Sequence, residues 1–158
     1  MTHTIKPSRW TLPLAAAMVL LAAAMATSVH AADAGRVKVS RGSTYIERHG
    51  AKLPAPVGAL ILTDDTVVTG ADGSIGIAFL DNSLLSTGPN SVLTIDKFVF
   101  DTTTHDGAFE TTLKKGTLAA ISGQIVKRTP EAMKVRTPAA VMGVRGTEFV
   151  VQVAETGN

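Results

Sequence analysis

The sequence predicts an all-β protein, and three observations carry that prediction. Residues branched at Cβ are abundant: the 127 residues after position 31 hold 14 Val, 7 Ile and 16 Thr. Such residues lose rotamer freedom in a helix and fit a pleated surface. All 14 glycines lie in the same stretch and interrupt it at short intervals, and no segment keeps apolar residues at helical spacing for three turns without a Gly or Pro. Turn signals recur about every 8–12 residues, the spacing of a sandwich, barrel or solenoid. A chain of 158 residues suits a single domain.

The first element is a leader. Lys6 and Arg9 precede a Leu- and Ala-rich apolar run through Ala26, and Thr27-Ser28-Val29-His30-Ala31-Ala32 follows it. A basic start, an apolar middle and small residues before a cut form a Sec-type signal peptide, expected over residues 1–31 with cleavage after Ala31, or after Ala32 as the alternative. The remainder, 32–158, is expected to be one domain, periplasmic and without stable membrane insertion. Losing Lys6 and Arg9 leaves 13 basic against 13 acidic residues, a net charge of zero. A neutral surface lacks the phosphate attraction on which nucleic-acid binders depend, so no nucleic-acid partner is expected. The absence of cysteine excludes disulfides, thiol catalysis and cysteine-ligated metals.

Strands follow from alternation. Arg36–Val39 and Ser43–Arg48 read as a first pair around Arg41-Gly42, and Ala51–Gly58 as a surface connection. Ala59–Leu62 precedes the turn cluster Thr63-Asp64-Asp65. Thr66–Thr69 runs into Gly70-Ala71-Asp72-Gly73, whose Asp-Gly is a hairpin signal. Ile75, Ile77 and Phe79 alternate with Gly76 and Ala78, Asp81-Asn82 closes that strand, and Ser83–Ser86 opens the next. Gly88-Pro89-Asn90 is a turn. Ser91–Asp96 and Lys97–Phe100 follow, then a polar loop, Asp101–Gly107. Ala108–Leu113 and Thr117–Ile121 flank an expected turn at Lys114-Lys115-Gly116. Gln124–Arg128, Met133–Arg136 and a last strand with Phe149, Val151 and Val153 complete the reading.

Standard catalytic and phosphate-binding motifs are missing from the sequence. Asp64, Asp65 and Asp72 lack the spacing of a calcium loop and read as turn aspartates. Asp81-Asn82-Ser83 resembles an aspartic-protease triplet only loosely and reads as a turn. His49 and His105 neighbour Gly-containing turns and read as exposed. Lys114-Lys115 and Lys127-Arg128 are short basic pairs that discourage edge pairing. The most informative run is Thr137-Pro138-Ala139-Ala140-Val141-Met142-Gly143-Val144-Arg145-Gly146-Thr147-Glu148-Phe149. Its small residues, Ala139, Ala140, Gly143 and Gly146, suggest backbone packed on backbone, with a left-handed conformation at one or both glycines. Arg145 is expected to clamp carbonyls or a carboxylate of a neighbouring strand.

This run resembles the FecR domain, with Thr137, Pro138, Ala140, Gly143, Arg145, Gly146, Thr147 and Phe149 as the motif positions, structural or in recognition. Gly35–Gly58, Asp65–Ser74, Phe79–Leu85 and Gly88–Ile95 look like the same domain's opening half, so the resemblance covers about residues 35–154. It implies a short β-solenoid or β-roll of many short strands, with a sandwich as the alternative, and a role in envelope signal relay. Direct anti-sigma activity is not carried over, since only about ten residues precede the apolar segment, too few to fold around a sigma factor. The chain is expected to be a non-enzymatic binding module without cofactor or metal, engaging an envelope protein by strand-edge pairing. The alternatives are a sensor of a small ligand or glycan, and a hydrolase using Asp64, Asp65 or Asp81 with His105.

Overall fold

The computed structural model describes Met1 and residues 33–154. The expected leader and the expected cleavage after Ala31 lie outside the described residues, Met1 apart. The fold is that of the unit Ala31–Asn158, and it is all-β: twelve strands in one curled sheet with a single short helix among the described residues.

Two leaves of that sheet face each other across the core. One holds β1 (Asp33–Arg41), β4 (Leu60–Leu62), β6 (Ser74–Phe79) and β7 (Leu84–Thr87); the other holds β2 (Thr44–Arg48), β3 (Ala51–Pro54), β5 (Thr66–Thr69) and β8 (Val92–Phe100). They are joined by β9 (Gly107–Ile121), whose first part pairs with β8 and whose last part pairs with β7. The outer pieces are α1 (Gln124–Arg128), β10 (Met133–Arg136), β11 (Val141–Gly143) and β12 (Glu148–Val153). Pairing is antiparallel throughout except between β9 and β10. Of the forms left open by the sequence, that pattern is a rolled sheet.

The alternation read at Ile75, Ile77 and Phe79 turns all three inward. Phe79 meets Phe109 and Phe98 of the facing leaf at centroid distances of 4.5 Å and 5.5 Å, and Phe98 stands nearly perpendicular to Phe109 at 5.2 Å. Each such ring pair stabilises by about 0.5–1.5 kcal/mol beyond the apolar area it buries. Val37, Leu85 and Leu118 on one side and Ile46, Val67, Leu93 and Leu113 on the other complete the core.

Crossings between the leaves gather along one hinge line. Gly70 donates its N–H to the Ser43 carbonyl at 2.8 Å, and its own carbonyl accepts N–H groups of Gly73 and Asn90, each at 3.0 Å. Asp72 accepts the Ser43 N–H at 3.1 Å, and this bond holds its carboxyl below the ordinary carboxylate range. Ser91 continues the line: its N–H donates to Thr69 Oγ1 at 2.9 Å, and its hydroxyl accepts the Thr117 N–H at 3.0 Å. Beside it Gly116 takes φ +89°, and a Cβ there would collide with Ser91.

That hinge corrects several local expectations. β1 and β2 do not pair with each other, because Gly42, at φ +61°, sends the chain across to the other leaf. Asp72-Gly73 is a turn but not a hairpin, since β5 and β6 belong to different leaves. Gly116 bends β9 without ending it, so no turn forms at Lys114-Lys115-Gly116. Ala51–Pro54, read as a connection, pairs with β2 as an edge strand, and Val141–Gly143 forms β11, which alternation did not mark. Gln124–Arg128 is helical. Its first N–H groups are satisfied by Asp81 and Ser83, Ile125 and Val126 are buried, and Lys127 and Arg128 complement the C-terminal dipole.

Candidate functional site

The FecR-like run forms the hairpin β10–β11, a crossing segment and β12. Thr137 closes the hairpin locally: its N–H donates to the Ala140 carbonyl at 2.8 Å, and its Oγ1 accepts the Ala140 N–H at 3.1 Å. Pro138 between them has its φ fixed by its ring, which suits so tight a turn. Val144 is buried and donates its N–H to the Met133 carbonyl at 2.9 Å. The chain then crosses to β12 through Arg145, Gly146 and Thr147.

Ser122, at the end of β9, ties that crossing down. Its hydroxyl donates to the Gly146 carbonyl at 2.5 Å and its N–H to the Thr147 carbonyl at 2.8 Å. Gly146 adopts φ +110°, as the left-handed expectation required. The expected backbone-on-backbone packing is not found. A Cβ on Gly146 would meet nothing within 4 Å, one on Gly143 would only touch Glu131, and Ala139 and Ala140 are exposed. Close approach of this kind occurs instead at Gly116, Gly123 and Gly107.

Between the hairpin and β12 lies an open groove of about 180 Å³, lined by Val135, Met142, Gly143, Phe149 and Val151 with Arg145 at its rim. Arg145, expected to clamp carbonyls or a carboxylate of a neighbouring strand, pairs with Glu131 in a loop: Nε lies 2.8 Å from Oε1, with the side chains 74% and 57% exposed. Of the eight motif positions, Gly143, Arg145 and Phe149 line the groove. Thr137, Pro138 and Ala140 shape the distant hairpin tip, and Gly146 and Thr147 shape the crossing. Ser122, Val135, Met142 and Val151 were read from the sequence only as parts of strands and runs and not as site residues, although the inward alternation of β10 and β12 could have marked Val135 and Val151 as groove residues. On its far side β12 is open, since among the described residues it pairs with β9 alone.

The other residues singled out from the sequence are dispersed. Asp65 is fully buried, bound by Arg48 through two hydrogen bonds of 2.7 Å and by the Leu62 N–H at 2.8 Å. Its hydrogen bond raises the pKa of Arg48. Asp81 is also buried and accepts the Ser83 N–H and hydroxyl at 3.0 Å and 2.7 Å. His49 and Asp64 are exposed turn residues with positive φ. His105 is exposed as well and stacks on Phe100. Among the described residues no cluster of three or more His, Asp or Glu could hold a metal ion.

A family model described as FecR protein matches residues 65–158, and the chain belongs to that family of cell-envelope signalling proteins. The match begins at the buried Asp65. Strands β1–β4 precede it, yet β1 pairs with β6 and β2 with β5, so they complete the same sheet. No curated protein and no solved structure matches the chain. Among the described residues no helix is long and apolar enough to cross a membrane.

Proposed function

We propose that the domain is an exported, non-catalytic binding module that engages another cell-envelope protein in signalling or assembly. The observation that supports this most is the open edge of β12, with unpaired backbone groups running beside an apolar groove. An extended segment of a partner adds to such an edge, its main chain supplying hydrogen bonds and its alternate side chains entering the groove. The groove's 180 Å³ falls below the ~300–1,000 Å³ of small-ligand sites, which favours a strand over a glycan or metabolite. The leader pattern supports a periplasmic location.

The reading is tested by crosslinking the purified protein in envelope extract and following hydrogen exchange along β12 in the captured complex. The expected result is a reproducible protein partner, slowed exchange at Glu148–Val153, and capture reduced at least about tenfold by Arg145→Glu or Met142→Lys at unchanged Tm. No reproducible partner, or capture that ignores both substitutions, would overturn it.

A further inference from the structure

The outer surfaces of the two leaves differ sharply. The leaf of β2, β5 and β8, with β9 and β10 beside it, presents a polar cross-strand row: Glu47, Thr66, Thr94, Thr112 and Arg136. Across the other leaf the register aligns two rows of a different kind. One runs Val150, Ala119, Ser86, Gly76 and Val39; the other runs Glu148, Ile121, Leu84, Ala78 and Arg36. No charged residue stands between Glu148 at one end and Arg36 at the other. Val150, Leu84 and Ile121 are exposed at 66%, 44% and 40%.

We propose that this face packs against the same face of a second copy, about a two-fold axis lying in the interface along β7. Such an axis reverses the order of strands and keeps each row on itself. Glu148 of one copy then lies over Arg36 of the other, twice. The bulky Ile121 lies over the small Ala78, and Leu84 meets its own equivalent on the axis. Val150, the most exposed of the apolar side chains in these rows, lies over the end of its row where Val39, Gly76 and Ser86 line a hollow of about 130 Å³. The other in-plane axis keeps each strand over its own equivalent, which gathers both Glu148 side chains over β12 and both Arg36 side chains over β1, so charge selects the first. The five strands that overlap, β1, β6, β7, β9 and β12, take up roughly 24 Å at about 4.8 Å each and β6 runs roughly 20 Å, so two copies bury about 1,000 Å². That is the lower bound for specific association, fitting a dimer that forms at micromolar concentration.

This interface shares β12 with the proposed binding edge, since Glu148 stands on that strand and Val150 also borders the groove; self-association is nevertheless read without any envelope partner, so its failure leaves the proposed binding edge untouched. The protein purified from cells expressing the full chain is examined by sedimentation equilibrium from about 1 µM to about 300 µM. A reversible dimer is expected. Leu84→Lys sets two cations on the axis and is expected to weaken the dimer more than tenfold; Leu84→Ser serves if the lysine variant does not fold. Glu148→Arg and Arg36→Glu are each expected to weaken it by up to about fivefold, and the double reversal to restore it. Val141→Lys, exposed on β11 and outside the two rows, is expected to leave it unchanged. A monomer throughout the range, a dimer indifferent to Leu84, or a double reversal without recovery would overturn the proposal.

Discussion

Two ion pairs show how little a residue's identity says about its weight. Asp65 and Arg145 both sit in turn-like sequence and both find an opposite charge, yet their surroundings differ. Asp65 is wholly buried and triply hydrogen-bonded, while Arg48 remains partly in water. Asp65→Asn is therefore expected to cost about 2–3 kcal/mol in urea unfolding, because a charge-assisted bidentate bond is lost in a dry site. Arg145→Lys alters a pair that water already screens, and its expected effect is below about 0.5 kcal/mol. The sequence pointed to strand carbonyls or a strand carboxylate for Arg145 and to a turn at Asp65. It did not show which of the two was buried, because Arg48 reaches Asp65 only after β2 and β5 have paired.

Single elements were most legible where one face alone is buried. Period-two alternation located β5, β6, β10 and β12 to within a residue or two, and split β8 into Ser91–Asp96 and Lys97–Phe100, which a register shift between Ile95 and Lys97 joins as one strand. It failed where a glycine bends a strand without ending it, as at Gly116, and where five residues are too few to show a period, as in α1. Two glycines now separate two physical costs. Gly116→Ala meets both a left-handed φ and the wall of Ser91, and is expected to lose more than about 3 kcal/mol. Gly146→Ala meets only the φ term, with open space around it, and about 1–2 kcal/mol is expected. Equal losses in denaturant titrations of the two variants would show that the hinge-line contact carries no weight.

For the whole molecule, the sequence conveyed the class and the single domain but not the topology. Turn chemistry reports that the chain reverses; it does not report which strand it then joins. Asp72-Gly73 illustrates this, a sound turn whose flanking strands pair elsewhere. The same aspartate gives the assembled fold a pH dependence. Its carboxyl is held below the ordinary range chiefly by the Ser43 N–H, so its stabilisation is complete above about pH 4 and is lost as pH falls through the lowered value. Asp72→Ala is expected to lower Tm at neutral pH and to flatten the fall in Tm between about pH 4 and about pH 2. A parallel offset across that range would place the acid sensitivity elsewhere.

The position of β9 has a temporal consequence. This strand touches β7, β8, β10 and β12, and it lies two-thirds of the way along the chain. Neither leaf can be finished until residues 107–121 have left the ribosome, and β12 adds its register later still. Until then the two four-stranded leaves have no strand joining them, and the ring of Phe109 that packs on both Phe79 and Phe98 is missing from the core. The core therefore closes late, when roughly a quarter of the chain is still to be made.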